Sequence, residues 1–212
     1  VTVLQATMGA ARENGAPLLL LAVATVYELD GPLLNITLTF EVALLVIGLS
    51  AFLGQVAAAK RASILFVAPL ILVFGNIAHY AAAKNIFTAD FFAILVLALA
   101  LGVAGYLFVR SDWERDGEIH TEKLSVGLFW SIVSGLLGMI LFWLMTHVVW
   151  SDTLATTISL AVYTLIGLYY YVSGRARESK SRKLLGSALL IFVTAHLLLV
   201  EMGAMSTEGR II

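Results

Sequence analysis

Residues 91–109 read FFAILVLALALGVAGYLFV, a run without a single charged side chain. A bilayer core about 30 Å thick is crossed by a helix of about 20 apolar residues, so this stretch alone is long enough to span a membrane. Its Leu, Ala and Gly content favours a helix over the alternating strands of a membrane β-barrel. The run therefore predicts a transmembrane helix.

Seven such stretches predict an all-α, polytopic bundle of transmembrane helices. Of the 212 residues, 60% are hydrophobic and 13% are charged, whereas about 25% of residues are charged in an average soluble domain. We place the spans at about residues 16–29, 33–58, 62–83, 87–109, 123–150, 153–173 and 184–204. Residues 1–15 are expected to form a polar lead-in or surface helix, and residues 16–212 a single transmembrane domain.

The basic residues fall mainly in alternate connections. If the N-terminus is cytoplasmic, only Lys84 and Arg210 of the 13 Lys and Arg residues lie outside. Because cytoplasmic loops are enriched in Lys and Arg, this bias predicts a cytoplasmic N-terminus and an external C-terminus. The link before the last span carries much of the signal, and a second interpretation has it contact anionic lipid headgroups. Its basic residues are Arg175, Arg177, Lys180, Arg182 and Lys183.

A weak internal repeat accompanies these spans. The second, fourth and sixth spans begin with Thr-bearing segments, pass Gly48, Gly105 or Gly167, and end in basic residues. The pattern indicates either a helical hairpin copied along the chain or a chance resemblance in Leu- and Ala-rich sequence. Small residues at helical spacing predict close helix packing; they are Ala98, Gly102, Gly105, Ser131, Ser134, Gly135 and Gly138.

Two segments resemble a known family. Residues 18–49, LLLLAVATVYELDGPLLNITLTFEVALLVIGL, and residues 181–212, SRKLLGSALLIFVTAHLLLVE followed by MGAMSTEGRII, are similar to units of the bacterial membrane proteins called domain of unknown function 2339. In that family an apolar helix tends to close on an acidic residue near an Arg, matched here by Glu201 and Arg210. The resemblance implies a helical bundle in a bacterial membrane and names no reaction. Because the family's proteins are longer, it also implies a fragment or a compact relative.

Polar residues inside the predicted spans are the candidate functional residues, because each is costly in lipid unless it is paired or faces a wet cavity. At a rise of about 1.5 Å per residue, they concentrate in the outer half of the bundle. The predicted cluster consists of Glu41, Asn76, His79, His196 and Glu201.

Three interpretations of this cluster stay open. In the first, Glu41 pairs with His196 or Asn76 as a hydrogen bond between helices. In the second, Glu41 and His196 line an outward-open cavity that binds or relays a proton or a small cationic solute. In the third, the histidines with Glu41 or Glu201 form a metal or hydrolytic site, although their spacing matches no metal-binding motif.

The sequence contains no catalytic or cofactor motif, so no catalytic residue, metal ligand or cofactor is assigned. We expect a non-enzymatic integral membrane component of a bacterial envelope, in the cytoplasmic (inner) membrane, that scaffolds a larger protein or assembly. The alternatives are a transporter or proton-coupled channel, and then a lipid- or glycan-modifying membrane enzyme. The expected partners are membrane lipids and other membrane subunits or the rest of a longer chain; a net charge of −1 argues against nucleic acid.

Overall fold

The computed structural model describes residues 24–25, 27–116, 125–176 and 180–196, without the side chains of 112–116, 152–153, 180–182, 184 and 196. Every regular element in these residues is a helix, which confirms the all-α prediction for them. In chain order the α-helices are α1 (Gly31–Ile47), α2 (Val56–Ala62), α3 (Val67–Ala81), α4 (Ala89–Asp116), α5 (Val126–Val149), α6 (Asp152–Ala176) and α7 (Lys180–His196).

Five helical segments are long and apolar enough to cross a membrane. They are Gly31–Phe52, Val56–Ala81, Ala89–Ser111, Val126–Val149 and Leu154–Ala176. Most of the predicted first span, 16–29, lies outside the described residues, and the described part of the last span contains a shorter apolar helix, Leu185–Ala195. Seven spans, the orientation and the hairpin repeat therefore stay predictions.

Residues 31–81 form the first helical hairpin. It turns at residues 53–55, earlier than the expected end of the second span at residue 58. Helix α1 continues as a π-helical segment, Gly48–Phe52, and then reaches Gly54 at φ +63°. Glycine adopts this left-handed conformation without the steric penalty of a side chain, so it ends the helix. Lys60 and Arg61 consequently lie within the next helix, α2, rather than in the connection.

The second arm of this hairpin is helical throughout but changes its geometry in the middle. A 3-10 segment, Ser63–Phe66, joins α2 to α3 just before Pro69. Proline has no backbone N–H, so the Leu65 carbonyl oxygen lacks its usual partner four residues on, and a tighter turn precedes the proline. The arm continues without a break in helical structure and reaches Ala81.

The described residues divide into two compact units. The first contains α1 to α4 and residues 125–141, and the second contains the described residues from Phe142 onward. In the first unit, α1 contacts both α3 and α4, and α3 contacts α4. In the second unit, α6 and α7 form a hairpin in which Gly186 lies against the backbone of Tyr171. The predicted single transmembrane domain beginning at residue 16 stays a prediction.

Small residues bring α4 and α5 close together inside the first unit, as their spacing indicates. The Ser134 hydroxyl donates a hydrogen bond to the carbonyl oxygen of Ala98 at 2.7 Å. A Cβ atom on Gly105 would lie 2.8 Å from the Ser131 nitrogen and 2.9 Å from the Gly127 carbonyl oxygen. Gly135 and Gly138 are different, because a Cβ atom on either would meet nothing within 4 Å in the described structure.

Gly105→Ala should lower the stability of the first unit, because the added methyl group meets backbone atoms that cannot move aside. Overpacking of this kind costs about 1–3 kcal/mol. The matched control is Gly138→Ala, which has space for the methyl group and gains helix propensity. Thermal unfolding in one detergent should show a lower midpoint for Gly105→Ala and an unchanged or higher one for Gly138→Ala. Equal midpoints would contradict this packing.

Candidate functional site

The structure places the predicted polar residues in different surroundings. Glu41 is half-buried on α1, and its Oε1 accepts a hydrogen bond from the Thr25 hydroxyl at 2.7 Å. Asn76 is buried on α3, whereas His79 on the same helix is exposed. The side chain of His196 and all of Glu201 lie outside the described residues, so the predicted pairing of Glu41 with His196 stays a prediction.

The basic link shows a similar division. Arg175 is exposed near the end of α6, and Lys183 is half-buried in the first turns of α7. Arg177 and the side chains of Lys180 and Arg182 lie outside the described residues. The link therefore begins and ends in helices, and its proposed contact with lipid headgroups stays a prediction.

Asn76 also belongs to a second set of polar residues, which the structure defines by burial. Within the described chain, four buried polar atoms have no hydrogen-bond partner: Nδ2 of Asn35, Nδ2 of Asn76, the hydroxyl of Tyr80 and Oδ1 of Asp90. Asn35 and Tyr80 are completely buried, and Asn76 is 4% exposed. We call these four residues the polar cluster.

All four residues lie at the same end of the first unit. Helices α1 and α3 belong to the two arms of the first hairpin and contact each other, so they run in opposite directions. With about 1.5 Å of rise per residue, Asn35 lies about 6 Å from the start of α1 and Asn76 about 8 Å from the end of α3. Tyr80 lies one residue before the end of α3 and Asp90 is the second residue of α4, on either side of the connection 82–88.

Neighbouring side chains hold the cluster in place. The Thr39 hydroxyl donates to the Asn35 carbonyl oxygen at 2.7 Å and lies 3.4 Å from Asn35 Oδ1, so the amide nitrogen of Asn35 points away from Thr39. The rings of Tyr80 and Phe91 lie 5.9 Å apart. Thr88 caps α4, because its hydroxyl accepts a hydrogen bond from the backbone N–H of Phe91 at 3.2 Å.

The unpaired atoms are energetically unusual. More than nine in ten buried backbone polar groups, and most buried side-chain ones, have a partner in folded proteins. A buried donor or acceptor without one costs about 1–3 kcal/mol. The polar cluster therefore combines several such costs near one end of the first unit, whereas ordinary helix packing would use Leu or Ala there. Such atoms occur where a water, an ion or another molecule supplies the missing partner, or where the fold tolerates the cost.

Two other sets of polar side chains in the described part of the chain are paired and join helices. In the first unit, Trp130 Nε1–H donates to the Ser63 hydroxyl at 2.9 Å, and Ser63 donates to the Lys60 carbonyl oxygen at 2.8 Å. In the second unit, the hydroxyls of Thr146 and Ser159 lie 2.9 Å apart and both residues are buried. The hydrogen-bonding capacity of these groups is used inside the protein, so their role is structural.

Sequence reasoning reached Asn76 and Glu41 because each interrupts a long apolar run. It did not include Asn35, Tyr80 or Asp90 in the predicted cluster. A signal existed in the spacing, since Asn35 and Thr39, like Asn76 and Tyr80, are separated by four residues and share one helix face. A tyrosine near the end of a span is usually an interfacial residue, which conceals its burial here.

Within the described residues, no three His, Cys, Asp or Glu side chains come together in a way that could hold a metal ion. The comparisons with known proteins add no identity. No family model, no curated protein and no solved structure matches the chain. The resemblance to the domain of unknown function 2339 proteins therefore stays a prediction.

Thr25→Val should destabilise the protein by about 1–3 kcal/mol, because the half-buried Glu41 carboxyl group loses a donor. The matched control is Thr37→Val on the exposed surface of α1, where the hydroxyl bonds only to the carbonyl oxygen of Leu33 in its own helix. Chemical unfolding of both variants in one detergent provides the comparison. In a Glu41→Leu background the effect of Thr25→Val should disappear, and a persistent effect would show that Thr25 acts independently of Glu41.

Proposed function

We propose that this chain is an integral component of a bacterial cytoplasmic membrane, acting without catalysis as a subunit or scaffold of a larger assembly. The observation that supports membrane insertion is the apolar outer surface of the long helices. Leu44, Phe74 and Leu165 are 70%, 67% and 65% exposed, each in the middle of an apolar helix. Large contiguous apolar patches are rare on water-soluble monomers, so hydrocarbon chains are the natural surroundings of these faces.

The paired polar contacts support a fixed, structural bundle. The bonds from Trp130 to Ser63 and between Thr146 and Ser159 each tie two helices with groups that have partners. Such bonds contribute about 0.6–2 kcal/mol in a membrane. A bundle held in one arrangement suits a scaffold. The bacterial location rests on the family resemblance, and the choice of membrane rests on it too.

A second candidate is a carrier or channel for a proton or a small polar solute. The polar cluster favours it, because polar residues buried inside a membrane bundle often mark the pathway of a solute or ion. Glu41 is half-buried, and its carboxyl group already accepts a hydrogen bond from the Thr25 hydroxyl in the described structure. The scaffold proposal ranks first because the paired contacts between helices hold one arrangement, whereas a carrier must alternate between two.

The predicted orientation can be tested directly, because the chain contains no cysteine. Single cysteines at Gln55, Asn85, Ser151 and Ala176 occupy exposed positions and preserve every charge. In intact cells, an impermeant maleimide should label Asn85→Cys and Ser151→Cys. It should label Gln55→Cys and Ala176→Cys only after lysis. Equal labelling of sites at opposite ends of one span would contradict the topology, and release of the chain by alkaline carbonate would contradict membrane insertion.

Native mass spectrometry of the gently extracted protein tests the subunit role. After extraction, a scaffold should remain bound to partner proteins in a fixed stoichiometry, or be part of a heavier chain, because a scaffold acts by binding other proteins. Peptide sequencing of the released species identifies them. A species at 22.8 kDa or its multiples, carrying only lipid, would contradict the scaffold proposal and favour the carrier.

A further inference from the structure

Four aromatic rings meet where α3 passes into α4. The ring of Phe91 lies at their centre, with its centroid 5.9 Å from that of Tyr80, 5.7 Å from that of Phe87 and 5.4 Å from that of Phe92. Tyr80 is completely buried and Phe91 is 8% exposed, whereas Phe87 and Phe92 are 74% and 45% exposed. The group therefore has a buried half that packs inside the first unit and an exposed half on its outer surface.

Backbone and ring contacts restrict the two exposed rings. The Thr88 N–H donates a hydrogen bond to the Ile86 carbonyl oxygen at 3.2 Å, which closes a tight turn just before α4. The Thr88 hydroxyl in turn accepts from the Phe91 N–H and caps the helix. The rings of Phe87 and Phe92 then stack with their centroids 6.4 Å apart. We call Phe87 and Phe92 the aromatic pair, because together they form one apolar surface.

The aromatic pair lies at the ends of two membrane-spanning segments. The connection 82–88 joins Val56–Ala81 to Ala89–Ser111, and both segments are long and apolar enough to cross a membrane. Phe87 comes two residues before the second segment begins, and Phe92 is three residues inside it. In a bilayer the pair therefore lies at the level where the hydrocarbon core ends.

The chemistry of this surface matches that level of the bilayer. A phenyl ring has no polar atom for water or a headgroup to solvate, and exposed Phe side chains at a membrane surface enter the acyl chains beneath the headgroups. Lys84, on the same connection, is exposed. The long apolar stem of a lysine lets its ammonium group reach the lipid phosphates while the stem stays against apolar surface.

We propose that the aromatic pair inserts into the acyl chains just beneath the lipid headgroups, with Lys84 at the level of the phosphates. This contact fixes the depth at which the connection between α3 and α4 lies. The inference rests on the proposed membrane insertion and adds an anchor at the boundary of two spans. Lipid is the partner, because the adjoining spans place the rings beside acyl chains and the charge of Lys84 complements the phosphates.

Spin labels measure the depth of single sites, and a chain without cysteine needs no background substitutions for them. The full chain is reconstituted into phosphatidylcholine vesicles with the label on Phe87→Cys, on Asn85→Cys in the exposed connection, or on Phe74→Cys in α3. Collisions with oxygen, which concentrates in hydrocarbon, are compared with collisions with a water-soluble nickel chelate. The oxygen-to-nickel ratio should be high at residue 74, low at residue 85, and at residue 87 closer to the value at residue 74.

The anchoring role is tested with the label at residue 85. Phe87→Ser should increase both the mobility of this label and its collisions with the nickel chelate, because the connection loses its hold on the bilayer. The matched control is Phe52→Ser, which makes the same change at an 84% exposed phenylalanine near the other end of the first hairpin. It should leave the label at residue 85 unchanged. Both substitutions are at exposed side chains, so both variants should fold.

The outcomes separate this inference from membrane insertion itself. If the nickel chelate reaches residue 87 as readily as residue 85 while residue 74 stays protected, the chain is inserted and the anchor is overturned. If it reaches residue 74 as well, membrane insertion fails and the anchor fails with it. Protection of residue 87 that disappears when more lipid is used per protein would assign the surface to a second copy of the chain. That result, or an unchanged residue 85 label in Phe87→Ser, would also overturn the proposal.

Discussion

Backbone hydrogen bonding within each segment is the constraint on which the rest of this structure depends. Apolar side chains surround the helices and supply no donors or acceptors, so each backbone group must bond along its own helix. The departures from α-geometry obey the same rule. The π-helical Gly48–Phe52 and the 3-10 Ser63–Phe66 segments change the spacing of the bonds and keep the chain helical. Even Pro69 is accommodated this way, inside the arm that ends at Ala81.

Buried polar side chains also need hydrogen-bond partners, but they can find them either in their own helix or in a neighbouring one. Ser63 and Thr146 satisfy this need by bonding to both their own helix and a neighbouring one. Asn35, Asn76 and Tyr80 each keep an unpaired atom, although all three are buried. The chain therefore has two kinds of buried polar side chain, those with and those without a hydrogen-bond partner. Paired groups hold helices together, and unpaired groups keep hydrogen-bonding capacity that no described side chain uses.

Hydropathy was sufficient to locate the long helices, because a run such as 91–109 has few stable alternatives to a helix. It was less informative about their ends. The predicted second span ran to residue 58, since Val56 and the alanines that follow it continue the apolar pattern, but the positive φ of Gly54 ends the helix earlier. Likewise, α4 extends to Asp116, beyond the apolar run, because charged residues such as Arg and Glu are good helix formers once a helix has begun.

The sequence by itself determined that the chain forms long apolar helices, because this follows from the composition of single segments; the orientation that Lys and Arg indicate stays a prediction. Tertiary structure alone decided which polar residues meet. Glu41 bonds to Thr25, and His79 is exposed while Tyr80, one residue further on, is buried. Helical periodicity limits the faces on which such residues can lie, but only packing of α1, α3 and α4 selects the face that becomes the interior. Whether a buried polar atom has a hydrogen-bond partner therefore depends on how the three helices pack together. It does not follow from the sequence of any one helix.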